Sequence, residues 1–172
     1  DEILSAEKKN AAVVKGHELE LNAFKEQLER LYIPQAKSKG VNFEVHISPK
    51  SEGIPFPKNK LLQIAGNLIS NAIKFTPANG LVKVNIELDA NTGEKTLKMS
   101  ISDTGEGITK DKVDAILHGK ASSEDGTEGE KGYGFGMQLV KHLIETLGGK
   151  LTIDSSPGQG STFEVILKSM IV

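Results

Sequence analysis

The helix pattern between residues 61 and 75 constrains the fold most strongly. Its apolar residues recur at helical spacing and predict a buried face, at positions 61, 65, 68, 69 and 72. Asn67, Asn71 and Lys74 stand at i, i+4 and i+7, so they form one stripe. An Asn oxygen suits Mg²⁺ and a Lys ammonium suits phosphate, so the stripe indicates a site for a magnesium-bound polyphosphate. On this helix alone, a polar stripe that faces water fits equally well.

Composition predicts one compact domain with few specialised features. The chain has 172 residues, 37% of them hydrophobic, which is enough for one sizeable core. The net charge of −2 argues against a nucleic-acid partner, and the absence of cysteine excludes disulfides and thiolate metal sites. No apolar run approaches the roughly 20 residues of a membrane span. Because the sequence begins in the middle of a pattern, we expect it to be part of a longer protein.

Periodicity predicts alternating helices and strands. Helices are predicted at 24–37, with Pro34 inside and Gly40 as its stop, and at 61–75, 109–117 and 137–147. Strands are predicted at 17–21, 41–47, 82–88, 97–101, 150–154 and 162–168. The strands at 82–88 and 97–101 form a hairpin pattern around a turn at 89–94. The segment 119–134 is polar and Gly-rich and cannot pack a core of its own.

A second motif, D-T-G-E-G at residues 103–107, follows the second hairpin strand. The carboxylate of Asp103 can accept a hydrogen bond from a ligand amine, while Gly105 and Gly107 let the backbone approach a flat ring. This arrangement suits adenine. Taken alone, the motif fits a plain Gly-rich turn in which Asp103 forms an Asx-turn better than it fits a ligand site.

A third motif, G-Y-G-F-G-M at residues 132–137, opens the helix at 137–147. Backbone N–H groups at a helix start bind anions, and glycines let phosphate oxygens come close. The motif is not a P-loop, because G-x-x-x-x-G-K-[ST] is absent, and it is not a Rossmann fingerprint, because no strand leads into it. A flexible loop that ends in a helix cap is the alternative.

In order and spacing, the three motifs resemble the ATP-binding catalytic domain of sensor histidine kinases, within the gyrase, Hsp90, histidine kinase and MutL superfamily. The resemblance runs from about residue 17 to 168. It is most specific in N-L-I-S-N-A-I-K-F-T-P at 67–77 and G-Q-G-S-T-F at 158–163. It identifies the N box with the helix at 61–75, the G1 box with 103–107 and the G2 box with 132–136. The implied fold is an α/β two-layer sandwich, with a mixed, mostly antiparallel sheet and helices on one face.

The resemblance also implies a role for each motif residue. Asn71 coordinates Mg²⁺, Lys74 contacts phosphate and Phe75 lies near the nucleotide. Asp103 binds the adenine amino group, supported through water by Ser161 or, alternatively, Thr162. The remaining expected nucleotide contacts come from the two glycine-rich boxes: Gly105, Gly107, Ile108, Gly132, Tyr133, Gly134, Phe135, Gly136 and Met137. Residues 118–133 correspond to the ATP lid, which fits their composition.

Asn67 distinguishes branches of the superfamily. Members that hydrolyse ATP usually carry a Glu here as the general base for water, and an amide cannot take a proton at neutral pH. Kinases that transfer the γ-phosphoryl group to a protein side chain commonly carry Asn. We therefore expect Asn67, Asn71 and Lys74 to support phosphoryl transfer by positioning and electrostatics.

Two motifs depart from the family pattern. The F box that normally follows G1 is Phe-rich, whereas residues 113–119 read V-D-A-I-L-H-G, so docking of the lid is expected to differ. Phe135 and Met137 stand where leucine is usual, and both are apolar side chains that can pack.

No histidine in the chain fits the phosphoacceptor pattern. His17-Glu18 resembles the start of an H box but lacks the basic residue and proline that follow it, and His46, His118 and His142 fit solvated positions. We expect the acceptor on an upstream dimerisation and histidine phosphotransfer domain, with residues 1–16 as its last helix and 17–172 as the catalytic domain. The implied partners are that domain and a response regulator receiver domain. The implied whole protein is a homodimer with this domain in the cytoplasm, with or without a membrane anchor.

Two alternatives to a histidine kinase stay open at this point. An ATPase or protein-serine kinase of the same superfamily would share all three boxes, and acid-stability of the phosphoamino acid would separate it. A non-catalytic nucleotide-sensing module would bind ATP without transferring phosphate.

Overall fold

The computed structural model describes residues 20–47, 57–91, 94–118, 124–125, 131–132 and 135–170. The helices are α1 (Leu21–Lys39), α2 (Lys58–Lys74), α3 (Lys110–Leu117) and α4 (Phe135–Thr146). The strands are β1 (Asn42–Ile47), β2 (Leu81–Asn91), β3 (Glu94–Asp103), β4 (Glu124–Asp125), β5 (Lys131–Gly132), β6 (Lys150–Ser155) and β7 (Ser161–Met170).

Five strands form one mixed sheet in the order β1-β2-β3-β7-β6. Strands β1 and β2 are parallel, and every other neighbouring pair in this sheet is antiparallel. Strands β4 and β5 form a separate two-stranded pair. The α/β class with a mixed, mostly antiparallel sheet is therefore confirmed.

The pairing register gives the sheet one apolar and one polar face. Val45, Val84, Ile101 and Phe163 follow one another across the four strands β1, β2, β3 and β7, and all four are buried. The residues between them point to the opposite face, where the hydroxyls of Ser102 and Thr162 are 3.0 Å apart. Because side chains alternate along a strand, this register decides which residues reach the site.

The helices cover the apolar face and close a single core. Buried side chains of α1, α2 and α4 belong to the same cluster as those of the sheet, including Phe24, Ile69 and Val140. Helix α1 ends as predicted at Gly40, whose left-handed conformation (φ 80°) lets its N–H reach the last carbonyls of the helix. Thr109 caps α3 by accepting a hydrogen bond from the Lys112 N–H.

Two predictions about element boundaries are wrong. The predicted turn at 89–94 is mostly strand, since pairing between β2 and β3 continues to Asn91 and Glu94. Leu21 begins helix α1 rather than ending a strand at 17–21, because its side chain is fully buried with Phe24 and Leu28 at helical spacing. Residues 17–19 of that predicted strand lie outside the described residues, as does the lead-in at 1–16.

Candidate functional site

The polar stripe of α2 does not form its solvent face. Asn71 is only 7% exposed, and Asn67 and Lys74 are half-buried. The exposed residues of α2 are grouped near its start: Lys58, Asn59, Lys60 and Gln63. The water-facing alternative for this stripe is therefore wrong for Asn71.

Asn67 meets the start of helix α4. A Cβ placed on Gly136 would lie 2.9 Å from Asn67 Oδ1, so a larger residue there would require the Asn67 carboxamide to shift. Asn67 Nδ2 donates a hydrogen bond to the Gln63 carbonyl at 2.8 Å, which fixes the orientation of the carboxamide. Met137 is buried and anchors the first turn of α4. The N box and the G2 box are thus neighbours.

The rest of the G2 box and the lid are described only in part. Gly132 lies in β5 opposite Glu124, and Phe135 is the first residue of α4. Tyr133 and Gly134 lie outside the described residues, as does most of the predicted lid at 118–133.

Asp103 ends β3 on the helix-covered face of the sheet and is 7% exposed. Burial raises the pKa of its carboxyl to about 6, against the hydrogen bonds from the Gly105 and Ser161 N–H groups that favour the carboxylate. The Gly105 N–H is 2.9 Å from Asp103 Oδ1. At neutral pH the carboxylate is therefore charged, desolvated and held in a fixed orientation, as a binding group for a ligand amine requires.

The loop after Asp103 docks on the end of α2 through backbone contacts. A Cβ on Gly105 would lie 2.2 Å from the Phe75 carbonyl oxygen, a distance that no other residue type can accommodate. The same carbonyl accepts a hydrogen bond from the Glu106 N–H at 3.3 Å. Phe75 and Ile108 are buried on either side of this contact. The N box and the G1 box therefore form one unit.

The turn between β6 and β7 holds the other side of the same loop. Gly107 has φ 75°, and a Cβ there would lie 2.0 Å from the Ser156 carbonyl oxygen. The Gly158 N–H donates to the Glu106 carbonyl at 2.6 Å. Gly160 likewise has φ 81° and lies against the Asp103 backbone, where a Cβ would be 2.1 Å from the carbonyl oxygen. The two glycine-rich segments fit together only without side chains.

Ser161 lies directly opposite Asp103 in the β3–β7 register and is 5% exposed. Its hydroxyl is 2.8 Å from the hydroxyl of Ser155, which also accepts a hydrogen bond from the Ile108 N–H at 2.7 Å. Thr162, the alternative to Ser161, points to the other face and contacts Ser102. Of the two predicted residues, only Ser161 is on the side of Asp103.

The sequence analysis missed two residues that hold these segments, Lys39 and Ser155. Lys39 Nζ donates to the carbonyls of Ile73 and Lys74 at 3.1 and 2.5 Å, which satisfies the end of α2. A basic residue in the last turn of α1 was the available signal, but it gives no indication of a contact 35 residues away. Ser155 is the last residue of β6, one residue beyond the strand predicted at 150–154.

The described histidines are on the surface. His46 contacts Glu44 at 3.2 Å on an exposed part of β1, and His118 and His142 are exposed. His17 lies outside the described residues.

The donor set of the site limits how it can bind a metal. Among the described residues, no group of three or more His, Cys, Asp and Glu side chains is close enough to hold an ion. Within the described residues, the buried carboxamide of Asn71 has no hydrogen-bond partner. One protein oxygen combined with ligand phosphates and water is the usual environment of Mg²⁺ at a nucleotide site. The residues present therefore fit that ion.

Comparison with protein families gives one match that covers most of the chain. Residues 57–170 match the family described as histidine kinase-, DNA gyrase B-, and HSP90-like ATPase. The matched segment includes α2, Asp103, α4 and Ser161.

Individual proteins give the same result. The chain is 38% identical over 140 residues to the autoinducer 2 sensor kinase/phosphatase LuxQ of Vibrio vulnificus (strain YJ016), across 79% of the chain and 16% of that protein. The catalytic domain of histidine kinase ThkA has a TM-score of 0.72 at 22% identity, over 87% of this chain and 93% of that one. Full-length ShkA, solved with AMPPNP, has a TM-score of 0.68 at 25% identity, over 90% of this chain and 31% of that one. The chain thus spans about a sixth of the length of LuxQ.

Proposed function

The chain belongs to the histidine kinase-, DNA gyrase B- and HSP90-like ATPase family and is a catalytic ATP-binding domain of the sensor histidine kinase type; on that premise we propose how its residues act. It binds Mg²⁺-ATP between α2, the loop after Asp103 and the start of α4. It transfers the γ-phosphoryl group to a histidine on a separate domain of a longer protein. A response regulator then receives the group.

The buried carboxylate of Asp103 is the observation that most directly supports the proposed position of the adenine. Burying a charge without a partner is costly, and within the described residues the Gly105 and Ser161 backbone N–H groups offset part of that cost for Asp103. A ligand amine would supply the missing donor. The 6-amino group of adenine is such a donor. A Cβ on Gly105 would lie 2.9 Å from Asp103 Oδ1, so a glycine there keeps a side chain away from the carboxylate. ShkA, which has the same fold, was solved with an ATP analogue.

The phosphates would lie along α2, where Asn71 offers an oxygen to Mg²⁺ and Lys74 a positive charge. Bound Mg²⁺ would neutralise charge on the phosphate oxygens during transfer. The first N–H groups of α4, beside Asn67, favour an anion at the same place.

Asn67 favours transfer over hydrolysis. Its carboxamide is oriented by the Gln63 carbonyl and lies against Gly136, at the position where hydrolytic relatives use Glu as a base. An amide has no basic lone pair for a water proton at neutral pH. Water would therefore be activated poorly, and the phosphoryl group would remain available for a protein acceptor.

The wider setting is also a proposal. None of the helices described is long and apolar enough to cross a membrane. We place this domain in the cytoplasm, within a homodimeric protein whose dimerisation and acceptor helices lie upstream. Binding of nucleic acid has no role in this account.

A labelling experiment tests the reaction. The 172-residue chain and the longer protein that contains it are incubated with γ-³²P-labelled ATP and Mg²⁺. We expect acid-labile, alkali-stable label on the longer protein, no label on the isolated chain and little free phosphate. Asn71→Ala in the longer protein should lose the label. Acid-stable label would instead indicate a serine kinase, and rapid phosphate release by the isolated chain would indicate an ATPase.

A further inference from the structure

We propose that Ser155 is a positioning residue that sets the proton arrangement of the base pocket, and thereby its preference for a 6-aminopurine over a 6-oxopurine nucleotide. The inference rests on the proposed function, since it concerns the same nucleotide site. Ser155 ends β6 and does not itself line the position expected for the base. It acts through Ser161.

The Ser155 hydroxyl joins three segments around Asp103. It accepts from the Ile108 N–H at 2.7 Å, donates to the Gly160 carbonyl at 3.1 Å, and is 2.8 Å from Ser161 Oγ. Ser155 and Ser161 are paired in the β6–β7 register, and Ser161 is paired with Asp103 in the β3–β7 register. One hydroxyl therefore contacts both the end of the G1 loop and the residue opposite the binding carboxylate.

Each serine hydroxyl has a single hydrogen, and this limits which of Ser155 and Ser161 can donate to the other. A serine hydroxyl has one hydrogen to donate and two lone pairs. Because the Gly160 carbonyl can only accept, in the proposed arrangement the Ser155 hydrogen goes to that contact and Ser161 is the donor in the short contact between the two hydroxyls. Ser155 then receives from the Ile108 N–H and from Ser161, which fills both of its lone pairs. In this arrangement the Ser161 hydrogen points to Ser155.

In this arrangement the two side chains expected to face the base, Asp103 and Ser161, both act as hydrogen-bond acceptors. At neutral pH the Asp103 carboxyl is mostly ionised and accepts hydrogen bonds. In the proposed arrangement the Ser161 hydrogen points to Ser155, away from Asp103. A 6-amino group, or a water that it holds, can donate to both oxygens. A 6-oxo group can donate to neither and would leave two buried acceptors unpaired, which is costly.

Loss of the Ser155 hydroxyl would change the hydrogen bonds that Ser161 can offer to the base. Ser155→Ala removes the acceptor for the Ser161 hydrogen, which can then turn toward the pocket and donate to a 6-oxo group. The substitution also removes the contact to the Ile108 N–H, which weakens attachment of the G1 loop. The first effect depends on the base, whereas the second affects every nucleotide.

The experiment uses that distinction. Dissociation constants for ATP and for inosine triphosphate are measured with Mg²⁺ on the wild-type chain, Ser155→Ala and the matched control Ser156→Ala. Ser156 is the exposed neighbour with the same side chain. We expect the preference for ATP over inosine triphosphate to fall about tenfold in Ser155→Ala, the value of one hydrogen bond gained or lost. Ser156→Ala should keep the wild-type preference, and Ser155→Thr, which retains a hydroxyl, should also keep it.

An equal loss of affinity for both nucleotides in Ser155→Ala would overturn the inference, because it would show a structural role only. If that variant does not fold, Ser161→Ala decides: a reduced preference supports the inference, and an unchanged preference overturns it. A wild-type chain that binds neither nucleotide would contradict the proposed function instead, so the two failures are distinguishable.

Discussion

The proposed base end of the site, around Asp103, and the proposed phosphate end, along α2, are built differently. At the base end, Asp103 is buried, accepts two backbone hydrogen bonds and lies in a sheet register that fixes its neighbours. At the phosphate end, the side chains project from one helix, α2, and the contact with α4 is made at a glycine. A base site built on paired strands is already organised without ligand, whereas the phosphate site leaves groups such as the Asn71 carboxamide for the ligand to complete.

The largest expected effect concerns the charge at the base end. The pKa of Asp103 is raised from 3.8 to about 6, so the folded chain binds this proton more tightly than the unfolded chain. Stability is therefore highest below pH 4 for this group and is lost as the pH rises to 6, by at most about 3 kcal/mol. Asp103→Asn cannot titrate. The difference in unfolding free energy between variant and wild type, from urea denaturation at several pH values, should change over this window and be constant above it. A difference independent of pH would show that Asp103 is not desolvated.

The second prediction concerns how tightly the base end is packed. Gly107→Ala should reduce the unfolding free energy by about 2–3 kcal/mol, because it combines an unfavourable φ with a clash against the Ser156 carbonyl. Gly148→Ala is the matched control: its φ is 67°, but no atom lies within 4 Å of the new Cβ. It should cost about 1 kcal/mol. Equal losses in thermal or urea unfolding would mean that close approach of the two loops contributes nothing.

The third prediction tests whether the two ends bind independently, by comparing a ligand that has phosphates with one that has none. Asn71→Ala should weaken binding of Mg²⁺-ATP by roughly 30-fold, about 2 kcal/mol, because the metal loses its protein oxygen. Binding of adenosine, which has no phosphates, should change less than about twofold, since Asp103 is unaltered. Calorimetric titration of both ligands into wild type and variant measures the two losses of affinity. A parallel loss for adenosine would show that the two ends are not independent.

The smallest expected effect concerns Lys39, which contacts the end of α2 at the proposed phosphate end. Lys39→Met removes the donor to the Ile73 and Lys74 carbonyls and should reduce the unfolding free energy by about 1 kcal/mol. Lys37→Met removes the same charge from an exposed position in the same turn of α1 and should have little effect. Chemical denaturation of both variants tests this, and similar losses would mean that net charge alone matters.

The features predicted best from the sequence are those that depend on local periodicity, namely helix faces, helix ends and strands. The buried face of α2, the stop of α1 at Gly40 and the strand that delivers Asp103 all follow from side-chain spacing and turn chemistry. The alternation of Phe163, Val165 and Leu167 also carried enough information to place Ser161 on the inner face and Thr162 on the outer one. The β3–β7 register shows this alternation directly, with Ser161 opposite Asp103 and Thr162 opposite Ser102.

What could not be predicted depends on contacts between distant segments. The Lys39 contacts to α2 and the Ser155 contact to the G1 loop join residues 34 to 47 positions apart. Local patterns carry no signal for such pairs. The hairpin turn at 89–94 was misplaced because polar residues such as Asp89 and Asn91 resemble turn residues, yet the long β2–β3 ladder keeps them paired.

The central claim is that Asp103 binds the adenine of ATP. The most direct test is calorimetric titration of a non-hydrolysable ATP analogue with Mg²⁺ into the wild-type chain and into Asp103→Asn. The account predicts binding to the wild type and a loss of about 100-fold in the variant, since the amide loses the charge and places N–H groups against the Gly105 or Ser161 N–H. Equal affinity for both proteins would contradict it.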